Sequence, residues 1–101
     1  SRAWLFANNR KVEEAIQDSS EAIRLDSENG DAWDTRGFAY AQKGDHARAI
    51  SDYNEAIRLD SEDGAFFYHR GLSHQELGNQ AEAEADFKKA KELGYSEEDE
   101  E

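Results

Sequence analysis

Proline, cysteine and methionine are all absent from the 101 residues. Without cysteine there is no disulfide framework and no thiolate chemistry, although this alone does not fix the compartment; the cytoplasm is the expected one. Positive charge is scarce, with 12 Lys and Arg against 24 Asp and Glu and a net charge of −12. Such a field repels phosphate backbones, so a nucleic-acid partner is not expected. There is no apolar run long enough to span a bilayer and no signal-peptide pattern, so no membrane partner is expected either. The missing initiator methionine and the start at Ser1-Arg2-Ala3-Trp4 fit a fragment or a processed chain. The length suits one domain or one short repeat array.

Five acidic residues, Glu97 to Glu101, close the chain and leave −7 on the remainder. Residues 96–101 read as a disordered, solvating tail in preference to a docking motif for a basic partner.

The chain repeats itself. Ala22 to Gly37 (AIRLDSENGDAWDTRG) returns as Ala56 to Gly71 (AIRLDSEDGAFFYHRG). Ala15-Ile16-Gln17-Asp18 recurs as Ala49-Ile50-Ser51-Asp52 and, weakly, as Ala83-Glu84-Ala85-Asp86; Leu25, Leu59 and Leu93 keep the same period. A period of about 34 residues points to stacked helical hairpins, each unable to bury its apolar face alone.

Helical spacing agrees. Trp33, Gly37 and Tyr40 fall at i, i+4 and i+7 on one face. Asp31 is a candidate N-cap, with Asp34 in the first turn. Gly44 and Gly78 are helix stops, Asp45 a cap, and Asn79 with Glu82 a capping-box pair. Helices are predicted over 1–8, 11–25, 31–43, 46–60, 65–77 and 80–93.

Trp33-x2-Arg36-Gly37-x2-Tyr40 followed by Ala49-x3-Tyr53 resembles the tetratricopeptide pattern W-x2-L-G-x2-Y…A-x3-F, and Phe67-x2-Arg70-Gly71-x2-His74 with Ala83-x3-Phe87 is a second copy. A first copy begins late, with Ala3-x2-Phe6, Ala15 and Ser19. The resemblance implies an all-α fold: a right-handed α-solenoid of three antiparallel helical hairpins, the first truncated. The repeat domain covers residues 1–95, in units of about 1–29, 30–63 and 64–95. Gly37 and Gly71, with Ala49 and Ala83 opposite, let paired helices approach closely, and Ala56 and Ala90 fit the joints. The family's proline between repeats is replaced by Ser27 and Ser61, which implies softer joints or second helices that run on.

Phe38 is the informative departure. At 100° per residue it points away from the Trp33–Gly37–Tyr40 face, among Asp31, Asp34, Thr35 and Gln42. Its counterpart one period on is Leu72, among Tyr68, His69, Gln75 and Glu76; one period back it is Trp4. By resemblance, Trp4, Phe38 and Leu72 line a concave groove that binds extended or helical peptides. Packing between adjacent first helices, or capping of open ends, is the competing reading for the same row. The groove then has an apolar centre and an acidic rim. Leu or Phe anchors on the ligand would seat beside Phe38 and Leu72, and Lys or Arg would meet Asp31, Asp34 and Glu76.

Some members of the family clamp a chaperone's C-terminal carboxylate with lysine, asparagine and arginine. The corresponding positions here are Trp4, Thr35, Ala65 and His69, so a clamp of that type is not expected. Catalysis is not expected either. His46, His69 and His74 are spaced poorly for metal binding or general-base work, and no phosphate loop, nucleophile elbow or paired-carboxylate motif is present. No cofactor follows. The expected function is protein–protein interaction. The alternative is self-assembly through unfinished ends, Trp4-Leu5-Phe6 and Leu93-Gly94-Tyr95, giving a homo-oligomer.

Overall fold

A computed structural model describes the backbone of residues 2–95 and the side chains of residues 10–95. The Trp4 side chain and the tail expected over 96–101 lie outside the described residues. Five helices follow one another: α1 (Arg2–Leu25), α2 (Gly30–Gln42), α3 (His46–Leu59), α4 (Gly64–Glu76) and α5 (Gln80–Glu92). Each packs mainly on its neighbours in the chain, and α2 also touches α4. The result is an α-solenoid with the first helices of successive hairpins side by side.

The helices predicted over 1–8 and 11–25 are one continuous helix. The reason is local. The hairpins α2–α3 and α4–α5 reverse at Gly44 and Gly78, with φ of +88° and +82°. The residue one period before Gly44 is Arg10, followed by Lys11 where Asp45 caps α3. Arginine has no cheap access to the left-handed region, so nothing stops the helix there.

The ends of the other helices are set by side chains. Asn29, not Asp31, caps α2, accepting from the Ala32 N–H, and Asp31 sits in the first turn. Asp45 caps α3 by accepting from the Arg48 N–H. Asn79 occupies the cap of α5 but makes no side-chain cap bond; its Nδ2 lies 3.2 Å from His74 Nδ1, so the capping box is not formed. The second helices do not run on. Asp26 and Asp60 accept from the N–H of Glu28 and Glu62, each at 3.1 Å. These Asx-turns end α1 and α3 where the family places proline.

The hairpins close as the small residues predict. A Cβ on Gly37 would lie 2.8 Å from the Tyr53 ring, and one on Gly71 2.7 Å from the Phe87 ring. Ala49, Ala56 and Ala83 are fully buried. A bidentate ion pair accompanies each contact. Arg36 Nε and Nη2 donate to Asp52 at 2.9 Å each, and Arg70 Nε and Nη2 donate to Asp86 at 2.9 and 2.7 Å. Each arginine also reaches the preceding unit. Arg36 Nη1 donates to Ser20 Oγ at 3.3 Å and Arg70 Nη1 to Asn54 Oδ1 at 2.9 Å. One side chain therefore ties three successive helices.

The C-terminal end is more finished than its sequence suggests. At the positions where α3 carries half-buried Ile50 and Ile57, α5 presents exposed Glu84 and Lys91. Tyr95 folds over Tyr68, with ring centroids 5.2 Å apart, and sits on Gly64, where a Cβ would be 2.6 Å from its own Cβ.

Candidate functional site

The face built by α2 and α4 carries the unusual side chains. Phe38 and Leu72 hold equivalent places on the two helices and are equally exposed, at 38 %. The Phe38 ring is not loose. It stands edge-on to the His69 imidazole, with centroids 5.4 Å apart and planes at 82°.

Hollows lie on both sides of Phe38. One, of about 230 Å³, is walled by Phe38, Ala41 and Gln42 of α2 and by His69, Leu72, Ser73 and Glu76 of α4, with Tyr53 and His46 of α3 beneath. The other, of about 470 Å³, lies towards α1. Ala15 faces Asp34, Thr35, Phe38, Ala39 and Gln42 there, with His69 at the back. Phe38, Gln42 and His69 border both.

The floor is braced by polar bonds between units. His69 Nδ1 lies 2.9 Å from Asp34 Oδ1, joining α4 to α2. Burial pushes the Asp34 carboxyl above its ordinary range; the bond to His69 opposes this, while Asp63 and Asp31 reinforce it. His46 Nδ1 lies 3.2 Å from Ser73 Oγ, joining α3 to α4. Ser73 is 1 % exposed, so this pair is an internal brace and not a nucleophile with its base. Among the described residues no group of three or more His, Asp or Glu side chains is placed to hold a metal ion. Nor is any described helix long and apolar enough to cross a membrane.

Seven of the expected groove residues converge on the two hollows: Asp34, Thr35, Phe38, Gln42, His69, Leu72 and Glu76. Three do not. Asp31 lines a separate hollow at the loop ends with Asp26, Glu28, Asn29, Asp60 and Phe66. Tyr68 turns along the stack to Phe87 and Tyr95, with centroids at 5.5 and 5.2 Å. Gln75 is exposed and borders neither hollow. Asp34 also differs in character from the expectation. Its carboxylate is spent on His69 at the floor instead of standing free at the rim. Ala15, Ala39, Ala41, His46, Tyr53 and Ser73 complete the hollows without having been expected there. Tyr53 reads in sequence as hairpin core, which it also is, and the His46–Ser73 bond spans 27 residues with no local signature.

A family model described as TPR repeat matches residues 37–78, and one described as Tetratricopeptide repeat matches residues 65–93. Among solved structures, the second TPR of Spaghetti (RPAP3) bound to HSP90 peptide SRMEEVD is 30% identical. The match covers 91% of this chain and 85% of that one, with a TM-score of 0.80. The first TPR of the same protein, bound to the same peptide, is 26% identical over 91% of this chain and 73% of that one, with a TM-score of 0.81. A crystal structure of MamA is 30% identical over 83% of this chain, with a TM-score of 0.78; the chain spans about half of it, 49%. No curated protein matches the chain.

Proposed function

Because the chain belongs to the tetratricopeptide repeat family, we propose that it is a protein–protein interaction module that takes a partner's peptide or helix along the α2–α4 face. The observation that carries this reading is the Phe38–Leu72 row. Two large apolar side chains stand equally exposed on neighbouring first helices, with a hollow on either side of the first. Anchors of this kind, flanked by spaces that accept a side chain, hold most of the energy of an interface. That two similar structures hold a peptide supports the reading.

The ligand's chemistry is proposed from charge. The chain carries −12, and Glu76 borders the first hollow while no lysine or arginine lines either one. An acidic tail such as SRMEEVD meets repulsion there. A peptide with apolar anchors and flanking Lys or Arg meets attraction, chiefly in its on-rate. Asp31, Gln75 and Tyr68 lie beyond the hollows and would touch only a longer ligand.

The test is a calorimetric titration of two peptides of equal length, one basic with Leu and Phe anchors and one SRMEEVD, into the full chain. Binding of the basic peptide, weakened by Phe38→Ala, is the expected result. Tighter binding of SRMEEVD would overturn the charge assignment, and equal affinity in Phe38→Ala would overturn the site.

A further inference from the structure

Three arginines of this chain lie over an aromatic ring and pair with a carboxylate at the same time. The Arg36 guanidinium carbon is 5.1 Å from the centre of the Trp33 ring, and its nitrogens donate to Asp52. Arg48 is 5.6 Å from the Tyr40 ring, with its Nε 3.4 Å from Asp45. Arg70 is 5.4 Å from the Phe67 ring and donates to Asp86. A guanidinium suits this arrangement, because it is flat enough to stack on a ring and forked to meet a carboxylate.

The hollow between α2 and α4 offers the same two surfaces to a group from outside. Phe38 walls it from α2, and Glu76 stands at its edge as the last residue of α4. Glu76 is exposed, and its carboxylate takes no ion pair among the described residues. Gln42 holds the equivalent place on α2, one period earlier, so the negative charge stands on the α4 side alone. The rest of the hollow adds no second carboxylate. Ala41 and Leu72 are apolar walls, and on the floor His46 and Ser73 are bonded to each other. Such a space fits a side chain with an aliphatic stem and a charged head.

The hollow towards α1 differs in kind. Ala15, Phe38 and Ala39 give it apolar walls, and the carboxylate of Asp34 is held by His69 at 2.9 Å. It suits an uncharged anchor.

We propose that the α2–α4 hollow is a subsite for one arginine of the partner peptide. The arginine stem lies between Phe38 and Leu72, and its guanidinium meets the Phe38 ring and the Glu76 carboxylate. The peptide's Leu or Phe anchor seats in the hollow towards α1, so anchor and arginine straddle the Phe38 ring. The inference rests on the groove reading and adds to it which residue type each hollow takes. Glu76 is then the residue that sets the preference for arginine.

The test uses the full chain and the basic peptide with Leu and Phe anchors, its positive residues all arginine. Each arginine is replaced in turn by citrulline, which keeps the shape and loses the charge, and affinities are read by calorimetry. One position should lose about tenfold or more, and lysine there should recover only part of the loss. Glu76→Gln should remove the penalty at that position and leave the others unchanged. A denaturant melt of Glu76→Gln should match the wild type, since the residue is exposed. Ala15→Leu, which fills the other hollow, should weaken the peptide while keeping the citrulline penalty. A penalty removed by Ala15→Leu and kept in Glu76→Gln overturns the assignment, as does the lack of any position whose penalty depends on Glu76. Lysine equal to arginine overturns the choice of a guanidinium. In each of these cases a peptide still weakened by Phe38→Ala leaves the groove reading standing. A peptide that binds Phe38→Ala as tightly as the wild type overturns both.

Discussion

Asp34 Oδ1 lies 2.9 Å from His69 Nδ1, and this contact holds the second unit to the third across the floor of the candidate groove. Burial raises the Asp34 pKa, and the bond to His69 offsets only part of that rise. A carboxyl whose pKa is higher in the folded than in the unfolded chain favours the fold while it is protonated. Its contribution is complete below the unfolded value, near 3.8, and is lost as pH rises through the folded value. Asp34→Asn removes that dependence. Stability of the wild type relative to Asp34→Asn is therefore expected to fall as pH rises from the ordinary carboxylate range, then to level off. Urea melts across that range, with a carbon NMR titration of Asp34, check it. A titration below the ordinary value would contradict it.

The paired arginines and aspartates carry a second expectation. Asp52 and Asp86 are buried, and each receives two bonds from one guanidinium. Asp52→Ala strands Arg36 without its partner and should destabilise the chain by about 3 kcal/mol, the low end for breaking a buried pair. Replacing both residues, as Arg36→Met with Asp52→Leu, should cost clearly less than the single change. Denaturant melts of the single and double variants decide it, and a double variant worse than Asp52→Ala would refute the pairing as the cause.

Two glycines separate close packing from backbone freedom. A side chain at Gly37 meets the buried Tyr53 ring and the Ala49 carbonyl oxygen, at 2.8 and 3.1 Å from the Cβ alone. Gly37→Leu should cost at least ~3 kcal/mol, the top of the usual overpacking range. Gly44 has open space around it but a φ of +88°, so Gly44→Ala should cost about 1–2 kcal/mol through strain alone. Thermal melting orders the two, and an unchanged melt for Gly37→Leu would mean that the hairpins pair differently.

Much of this was legible in sequence because repeat packing is periodic. The family resemblance set Gly37 against Ala49, and the 100° step placed Phe38 off that face; that the Tyr53 ring also meets Gly37 came from the structure. What the pattern missed lies between units or depends on side-chain direction. Asp34 and His69 are 35 residues apart and meet only once the hairpins stack. Tyr68 leans along the stack to Tyr95, a direction that spacing does not encode. The unbroken α1 was readable in principle, since Arg10 stands where the other units have glycine, but apolar periodicity suggested a hairpin there and hid it.

The most direct measurement compares Phe38→Ala with the wild type in two assays, a denaturant melt and a titration with a basic, apolar-anchored peptide. Phe38 is 38 % exposed, so truncation should cost on the order of 1 kcal/mol in stability. As a central anchor of the bound peptide it should cost about 2 kcal/mol or more in affinity. A nearly unchanged melt with lost binding is the expected pair of results. A loss of roughly 3–5 kcal/mol in stability, as for a core aromatic, with intact binding per folded molecule, would show that the Phe38–Leu72 row is core and not a ligand site.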